Sequence, residues 1–407
     1  MAKPQKNRFF FASCPRSLEE MLEQELIDSG ITKTRISNGG VQFQTDISRG
    51  LKFLINTRIA SRVYLEFHQF TLNREQDLYK DARKVHWDKV LDNNQTFRIT
   101  TLVNRFALST FKNPLHYSLV LKDALVDHFR DRDGVRPDVD KKDAEVSILM
   151  RVDKTGNRHG YWVSLYYDLS GTPLSNRGYR LPGHGAPLRE NLAAAILYKM
   201  NYHNDKTDFC DSMCGSGTLL SEALLMLHDL PPSLLRIKNH SEDTPAFAFF
   251  NHKWFYENKD VKSKFENEMH HVMKRFNSVD VSSKIVYGQD NNPRNLTQTK
   301  ESLDLLFPLN KNVTLNYGDS TKLVPPKEFK GIIFCNPPYG ERLGDSEELA
   351  DLYYNYGENL KNNWKENTAY ILTGNPELRK KISLQTSKRT PFYNGKIECR
   401  LLRYNLY

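Results

Sequence analysis

A short apolar run that ends at two prolines is the feature that most constrains how this chain folds. Gly331–Cys335 has the composition of a buried strand, and Asn336-Pro337-Pro338-Tyr339 follows it at once. Proline has no backbone N–H, so two prolines cannot continue a strand ladder and the chain must leave the sheet there. In open α/β sheets, ligands bind outside the carboxyl ends of the strands. The sequence therefore predicts a ligand-binding turn directly after Cys335.

This turn contains groups that suit a planar amine. The amide oxygen of Asn336 and the carbonyl of Pro337 can both accept hydrogen bonds from one –NH2 group, and Tyr339 can stack on the ring that carries it. Such a set fits methyl transfer to an exocyclic amine. A proline-stiffened turn without a catalytic role is the alternative for the four residues taken alone. The candidate catalytic residues are Asn336, Pro337, Pro338 and Tyr339.

Candidate cofactor ligands follow three other predicted strands. The Gly-containing turn 211–218 precedes a helix, and glycines let a backbone approach a ligand at a helix N-terminus. Asp290 ends the next strand, where a carboxylate could bind both hydroxyls of a ribose, and Asp319 follows the third, where it could accept a hydrogen bond from an adenine amine. Each acid alone is more often a turn or cap residue, but four such features at consecutive strand ends argue against chance. The candidate cofactor-binding residues are Asp211, Cys214, Gly215, Ser216, Gly217, Thr218, Asp290, Asp319 and Asn336.

Charge and composition suggest a soluble protein with a polyanionic partner. The net charge is +9 over 407 residues, which is a modest basic bias. No apolar stretch approaches the length of a membrane span, and the start of the chain lacks the apolar core of a signal peptide. The five cysteines form no CxxC pair and no metal-ligand spacing. We therefore expect a cytoplasmic protein with reduced thiols, no bound metal and no membrane partner.

The N-terminal half is predicted to contain two small α+β modules. Residues 8–66 alternate strands and helices with short loops, as in a ferredoxin-like arrangement. Residues 70–166 mix basic with aromatic side chains, which can hold phosphates and stack unpaired bases. The linker after them is dense in glycine, proline and arginine, which indicates contact with an anionic group. A solvated charged surface explains any single one of these cations equally well. The candidate RNA-binding residues are Arg98, Arg105, Lys122, Arg177 and Arg180.

Together the motifs resemble one family. Asp-x-x-Cys-Gly-Ser-Gly-Thr at 211–218, Gly-x-Asp at 288–290, Asn-Pro-Pro-Tyr-Gly-Glu-Arg-Leu at 336–343 and the hairpin at 394–400 are similar to those of class I S-adenosylmethionine-dependent RNA guanine-N2 methyltransferases with an N-terminal THUMP domain. Stretches at 168–195 resemble the family's join between the THUMP and catalytic domains. The chain most resembles the N-terminal half of the bacterial 23S rRNA guanine-N2 methyltransferases, over nearly its whole length.

The resemblance implies a domain order. It implies a ferredoxin-like domain over 1–66, a THUMP RNA-binding domain over 67–166, a linker over 167–186 and an α/β Rossmann-like class I methyltransferase domain with a seven-stranded sheet over 187–407. Residues 229–280 carry no strong strand signal, and we interpret them as a cap inserted into the last domain. Two positions depart from the family's pattern: Ser212 replaces a usual proline, and Asn292 replaces a common second acid.

The implied reaction is methyl transfer from S-adenosyl-L-methionine to the N2 amine of a guanosine in 23S rRNA or in a large-subunit precursor. A tRNA guanosine-N2 methyltransferase is a close alternative, since THUMP proteins often act on tRNA. Asn-Pro-Pro-Tyr also suits the planar –NH2 of DNA adenine and protein glutamine, although the join at 168–195 favours RNA. A non-catalytic RNA-binding ribosome assembly factor with a vestigial methyltransferase fold is the remaining alternative, and failure to bind the cofactor would favour it.

Overall fold

A computed structural model describes residues 7–155, 160–181, 188–279, 284–307, 313–339 and 346–407. Residues 182–187 of the predicted linker and helix start, residue 280 of the predicted insertion and residues 340–343 of the predicted motif lie outside these ranges. Contacts within the chain define two compact units. The first consists of Met1–Leu174 and Arg236–His271, and the second of Ser175–Leu235 and Val272–Tyr407.

Strands and helices follow each other along both units. The strands are β1 (Arg8–Ser13), β2 (Thr34–Ser37), β3 (Gly40–Thr45), β4 (Arg62–Leu72), β5 (Phe97–Val103), β6 (Val146–Lys154), β7 (Tyr161–Asp168), β8 (Asp208–Asp211), β9 (Val286–Asp290), β10 (Val313–Tyr317), β11 (Gly331–Cys335), β12 (Thr368–Thr373), β13 (Lys388–Asn394) and β14 (Ile397–Asn405). The helices are α1 (Glu19–Asp28), α2 (Ile47–Asn56), α3 (Leu78–Ala82), α4 (Pro114–Asp133), α5 (Glu190–Lys199), α6 (Tyr202–Asp205), α7 (Thr218–Leu227), α8 (Leu234–Lys238), α9 (Lys253–Tyr256), α10 (Lys259–Asn277), α11 (Pro293–Leu306) and α12 (Ser346–Asn363). No helix within the described ranges is both long enough and apolar enough to cross a membrane.

The first unit is built on one sheet. Over the described residues its strand order is β2-β3-β1-β4-β7-β6-β5, with β5 and β6 parallel and the other neighbours antiparallel. Helix ends follow local sequence signals. The Asn113 side chain accepts a hydrogen bond from the His116 N–H at the start of α4, where Pro114 occupies the first turn. Asp46 caps α2 in the same way through the Arg49 N–H at 3.0 Å.

The central part of the predicted insertion groups with this first unit. Its core is a cluster of phenylalanines, in which the ring centroid of Phe249 lies 4.7 Å from that of Phe255 and 4.9 Å from that of Phe265. His252 is completely buried, and its ring lies 4.9 Å from that of Tyr167 on β7. These apolar contacts explain why residues 236–271 are assigned to the first unit rather than to the second.

The second unit contains the predicted mixed sheet. Over the described residues its seven strands have the order β10-β9-β8-β11-β12-β14-β13. Strands β8 to β12 are parallel to one another, and β14 runs antiparallel both to β12 and to β13. The β13–β14 hairpin is the one that the Asn394-Gly395 turn predicted. Because β8 lies between β9 and β11, the strand order reverses there, which opens a crevice at the carboxyl ends of these strands.

Strand β11 has the bounds that the sequence predicted and lies at the centre of the unit. A Cβ at Gly331 would lie 2.0 Å from the Asp208 carbonyl oxygen on β8, so a side chain at this position would clash with backbone. Ile333 and Cys335 are fully buried and pack in a cluster with Trp364 of the segment after α12. A rigid, buried strand therefore delivers the chain to Asn336.

Candidate functional site

The carboxyl ends of β8, β9, β10 and β11 surround one cavity of about 390 Å³. Ser216, Gly217, Pro337 and Tyr339 adjoin this cavity in the chain but do not line it. The remaining predicted cofactor and catalytic residues all line it, and these are Asp211, Cys214, Gly215, Thr218, Asp290, Asp319, Asn336 and Pro338. Residues that are up to 127 positions apart in the sequence therefore meet at the crevice that strand order predicts.

The loop between β8 and α7 is held by both neighbouring strands. The Cys214 N–H donates to the Gln289 carbonyl on β9 at 2.9 Å, and the Ser212 hydroxyl donates to the Phe334 carbonyl on β11 at 3.0 Å. Gly217 has a φ of +75°, and a Cβ there would lie 2.6 Å from Cγ2 of Thr299 on α11. The glycine thus allows the loop to pass close to α11. Ser212, which departs from the family's proline, anchors the loop through its hydroxyl.

Asp290 has a carboxylate whose orientation is fixed by three N–H donors. Its Oδ2 accepts from the Gly215 N–H at 2.9 Å, and its Oδ1 accepts from the Asn292 N–H at 2.9 Å and from the Asn295 amide at 3.0 Å. The residue is 7% exposed. A carboxylate oxygen has two lone pairs, so Oδ1 is fully engaged and Oδ2 can accept one more hydrogen bond. Sequence reasoning missed Asn295, whose only signal is its position one turn into the helix that follows Asp290.

Asp211 is a buried acid close to a second acid. Burial, together with the charge of Asp290, raises the pKa of its carboxyl to about 8, although a hydrogen bond from the Met213 N–H acts in the opposite direction. Only 3% of the residue is exposed. The carboxyl of Asp211 is therefore mostly protonated at neutral pH unless a cation lies beside it.

Asp319, which follows β10, has a lowered carboxyl pKa, whereas the pKa of Asp211 is raised. Burial works against ionisation of its carboxyl, but hydrogen bonds from the backbone and hydroxyl of Thr321, together with the charge of Lys322, leave the pKa lowered. The two Thr321 bonds measure 2.9 Å and 2.8 Å. The cavity thus holds one ionised carboxylate at this edge.

The turn after β11 is locked by three hydrogen bonds. The Tyr339 hydroxyl donates to Oδ1 of Asn336 at 2.5 Å, and the Asn375 amide donates to the Tyr339 carbonyl at 3.0 Å. The hydroxyl of Tyr353 on α12 donates to the Pro338 carbonyl at 3.3 Å. Burial raises the pKa of Tyr339, so its hydroxyl stays protonated and remains a donor. Sequence reasoning missed Asn375 and Tyr353, because nothing in the sequence near the turn indicates them.

One predicted RNA-binding residue has a structural position instead. Arg177 is 2% exposed, and its guanidinium pairs with Glu222 of α7 at 3.2 Å. Tyr179 donates to the same carboxylate at 3.1 Å. The prediction that Arg177 binds RNA is therefore wrong. The physical reason is that a carboxylate buried in an apolar helix needs an adjacent cation, and a guanidinium buried beside it cannot contact RNA.

Arg180 is also held by protein groups, beside the cofactor loop. Its guanidinium lies 3.3 Å from the Glu190 carboxylate and donates to the Thr218 hydroxyl at 3.1 Å. These contacts indicate that Arg180 positions Thr218, which lines the cavity. Whether it also contacts RNA stays a prediction.

The three predicted RNA-binding residues of the first unit differ in accessibility. Arg105 is exposed, and its guanidinium lies 4.6 Å from the ring centre of Phe106, which is 61% exposed. Arg98 is half-buried and donates to the Ser147 hydroxyl at 2.8 Å. Lys122 is half-buried and pairs with the adjacent Asp123. Arg105 with Phe106 thus has the geometry best suited to stacking on a base.

Within the described ranges, neither metal binding nor thiol chemistry has a candidate site. No group of three His, Cys, Asp or Glu side chains there could hold a metal ion. All five cysteines lie in these ranges as free thiols. Burial raises the pKa of the thiols of Cys210, Cys214 and Cys335, which keeps them protonated at neutral pH.

Three family models match the chain, one after another. Residues 9–64 match the RlmL ferredoxin-like domain, residues 73–156 the THUMP domain, and residues 177–403 the methyltransferase domain described as RMKL-like. Together with the mixed sheet, these matches confirm the predicted fold class. The exact boundaries predicted at 66, 166 and 186 stay predictions.

Curated relatives and solved structures are similar over nearly all of the chain. The ribosomal RNA large subunit methyltransferase K/L of Cellvibrio japonicus is 33% identical over 403 residues, which cover 98% of this chain and 51% of that protein. A structure described as a possible methylase from Clostridium difficile 630 shares 22% identity with a TM-score of 0.81, covering 99% of both chains. The methyltransferase SMU.472, solved with SAH, shares 22% identity with a TM-score of 0.78, again covering 99% of both. The chain spans about half the length of the curated relatives it matches.

Proposed function

The chain belongs to the RMKL-like methyltransferase domain family, and from this we propose that it transfers a methyl group from S-adenosyl-L-methionine to the exocyclic N2 amine of a guanosine in 23S rRNA. The curated relatives are named ribosomal RNA large subunit methyltransferases. One observation supports the proposal most directly: Asn336 and Pro338 line the same cavity as Asp211, Asp290 and Asp319. A site for a planar amine therefore adjoins a site rich in carboxylates.

The residues of the cavity fit S-adenosyl-L-methionine, which would supply a methyl group on a positively charged sulfur. Asp290 would accept a hydrogen bond from a ribose hydroxyl through Oδ2, since its carboxylate is already oriented by Gly215, Asn292 and Asn295. Asp319 would accept from the adenine amine. The positive charge of the ligand would favour ionisation of Asp211, whose pKa is about 8 in the structure. The backbone that Gly215 contributes leaves room for this ligand along the loop.

Asn336 would hold the amine of the target base. Oδ1 of Asn336 and the Pro337 carbonyl would accept the two amine hydrogens, and Tyr339 would stack on the guanine ring. Guanine N2 is a weak nucleophile because its lone pair is delocalised into the ring, so orientation by these acceptors would supply most of the rate. Acceptors at the amine hydrogens also favour the positive charge that develops on nitrogen. No strong general base is needed, because the methylated ammonium is acidic and loses its proton to water.

The target base must be unstacked to reach such a pocket, since an amine inside a helix stack is inaccessible to Asn336. The exposed pair of Arg105 and Phe106 in the first unit would bind nucleotides of the RNA other than the reacting one. The predicted RNA contacts of Arg98, Lys122 and Arg180 belong to this proposal as well. Arg177 does not, because it is buried against Glu222.

A methyl-transfer assay tests the proposal. Labelled S-adenosyl-L-methionine would be offered with unmodified 23S rRNA, bulk tRNA and DNA in parallel, and the product nucleoside would be identified by mass spectrometry. We expect N2-methylguanosine in 23S rRNA alone, and no product with the Asn336→Ala protein. N2-methylguanosine in tRNA would support the proposed reaction but contradict 23S rRNA as the substrate. Cofactor binding without any product on RNA or DNA would favour the assembly-factor alternative or a precursor particle as substrate.

A further inference from the structure

A second cavity, of about 430 Å³, lies within the first unit and takes no part in the chemistry above. Three aromatic rings form its wall: Phe67 on β4, Tyr167 on β7 and Trp254 on α9. The ring centroids of Phe67 and Tyr167 lie 4.6 Å apart, and those of Tyr167 and Trp254 lie 6.3 Å apart. Arg8 and Lys89 add two cations to the lining. We call this space the aromatic cavity.

The charge of the aromatic cavity is entirely positive. No aspartate or glutamate is among the described residues that line it. Glu66, the neighbour of Phe67 in the chain, directs its carboxyl to the side chains of Ser164 and Tyr166 instead. Lys89 is exposed at the mouth of the cavity. Anionic groups of a ligand would therefore meet cations and no carboxylate at this opening.

Trp254, which lines the aromatic cavity, also carries an unpaired hydrogen-bond donor. The indole N–H of Trp254 is buried and has no hydrogen-bond partner among the described residues. The hydroxyl of Tyr167, whose ring is its neighbour, donates to the Lys89 carbonyl at 3.4 Å. Leaving a buried donor unpaired is costly, so a ligand that offers an acceptor to the indole would gain affinity.

The chemistry of a neighbouring cavity in the same unit is different. That cavity, of about 340 Å³, is lined by the carboxylates of Asp46 and Glu268 as well as by lysines. Its Lys52 ammonium lies 3.3 Å from the Glu268 carboxylate, so the lysine's charge is already compensated. A phosphate would meet two carboxylates there. The combination of aromatic walls, cations without a carboxylate in the lining, and an unpaired indole N–H distinguishes the aromatic cavity.

We propose that the aromatic cavity binds one unstacked base of the RNA substrate, outside the catalytic site. The base lies against Phe67, Tyr167 and Trp254, and one of its ring or carbonyl acceptors takes the indole N–H. Arg8 and Lys89 bind the phosphates on either side of the base. This inference rests on the proposed function, because it takes RNA as the substrate. It adds a contact through which the first unit recognises single-stranded RNA, since a paired base cannot enter.

Trp254→Ala and Trp254→Phe test the stacking. The probe is a fluorescein-labelled single-stranded RNA of about 12 nucleotides, compared with a duplex of the same sequence. We expect Trp254→Ala to weaken binding of the single strand by about 10-fold and to leave duplex binding within about two-fold, because stacking on one aromatic ring is worth this much. Trp254→Phe keeps a ring and should recover most of the affinity.

Trp162→Ala is the matched control, since Trp162 is 43% exposed on β7 and does not line the aromatic cavity. Equal losses in Trp162→Ala and Trp254→Ala would overturn the inference. Lys89→Ala should lower the salt dependence of binding by about one ion, and Lys264→Ala, in the neighbouring cavity, should not. An unchanged salt dependence in Lys89→Ala would contradict the assignment of phosphates to this rim.

Photo-crosslinking of the unmodified protein avoids any effect of substitution on folding. The same RNA carrying 4-thiouridine should crosslink to peptides that contain Phe67 or Trp254. Crosslinks confined to other peptides would overturn the inference, while methylation of RNA by the same protein would leave the proposed function intact. The reverse result, crosslinks at Trp254 without methyl transfer to RNA, DNA or a large-subunit precursor particle, would overturn the proposed function alone.

Discussion

The hydroxyl of Tyr339 donates a hydrogen bond to Oδ1 of Asn336 at 2.5 Å. In this arrangement the oxygen end of the Asn336 amide faces Tyr339 and accepts from its hydroxyl. Oδ1 retains a second lone pair, which is available to an amine hydrogen of the target base. Tyr339 thus has two functions in the proposed mechanism: its ring stacks on the base, and its hydroxyl orients the acceptor that holds the amine.

Asn336→Ala should lower kcat by at least about 100-fold, because orientation and electrostatic stabilisation of the amine are both lost. Binding of S-adenosyl-L-methionine, measured by calorimetry, should stay within a few-fold of wild type. Tyr339→Phe tests the hydrogen bond alone. It keeps the aromatic ring, loses the hydrogen bond to Asn336, and should lower kcat by about 10-fold. Loss of cofactor binding in Asn336→Ala would make this residue structural.

Asp290→Asn should weaken the binding of S-adenosyl-L-methionine by about 10- to 100-fold, because hydrogen bonds to a charged acceptor are worth about 1.5–3 kcal/mol. The amide that replaces the carboxylate would also direct an N–H at the Gly215 or Asn292 N–H. Asn295→Ala removes one of the three donors that orient Asp290 and should cost only a few-fold. Titration calorimetry with the cofactor measures both. Equal affinities in wild type and Asp290→Asn would remove Asp290 from the cofactor site.

The pH dependence of stability should contain a contribution from Asp211. Its folded-state pKa of about 8 is above the ordinary value of 3.8, so the folded protein retains a proton that the unfolded chain releases. Stability from this group is therefore complete below about pH 4 and is lost as the pH rises towards 8. Asp211→Asn removes this loss and keeps an acceptor for the Met213 N–H.

The thermal midpoints of both proteins without cofactor measure the effect. We expect the midpoint of Asp211→Asn, relative to wild type, to increase by at least about 3 °C between pH 5 and pH 8, because about 1 kcal/mol shifts the midpoint of a large domain by about 2–4 °C. A constant difference across this range would show that Asp211 is ionised in the folded protein throughout.

Arg177→Ala should destabilise the second unit by about 3–5 kcal/mol, because it leaves the buried carboxylate of Glu222 without its cation. Arg105→Ala, which removes an exposed charge, should leave the thermal midpoint unchanged and weaken RNA binding. The double change Arg177→Met with Glu222→Leu should regain much of the stability, since no buried charge remains. Thermal unfolding and RNA affinity of the same preparations separate the two roles, and an unchanged midpoint in Arg177→Ala would contradict the buried pair.

Sequence patterns predicted the parts of the site that depend on local signals. Strand β11 ends where Pro337 and Pro338 prevent its continuation, and Asp290 ends β9. Because parallel strands finish at one edge of a sheet, these positions had to meet once the strand order was inferred. The hairpin at Asn394-Gly395 was equally local. In each case a few adjacent residues were sufficient to predict where the strand or turn lies.

Contacts between distant residues were not accessible to this reasoning. Arg177 was predicted to bind RNA because its surroundings are rich in glycine and arginine, yet its partner Glu222 lies 45 residues further along. One signal was present: Glu222 is the single acid in the apolar helix α7, and a fully buried carboxylate needs a counter-charge. The insertion gave no comparable signal, because its aromatic residues do not indicate which surface they will cover.

Residues 236–271 belong to the first unit by their contacts, yet both stretches that flank them in the chain belong to the second. A ribosome that has just completed Leu174 has therefore made the whole sheet of the first unit without His252, whose ring covers Tyr167. That apolar surface stays open until about a hundred further residues have been synthesised, at an elongation rate of about 5–20 residues per second. The order of synthesis and the order of folding consequently differ, and for an interval of several seconds the nascent chain carries the sheet of its first unit without the segment that covers it.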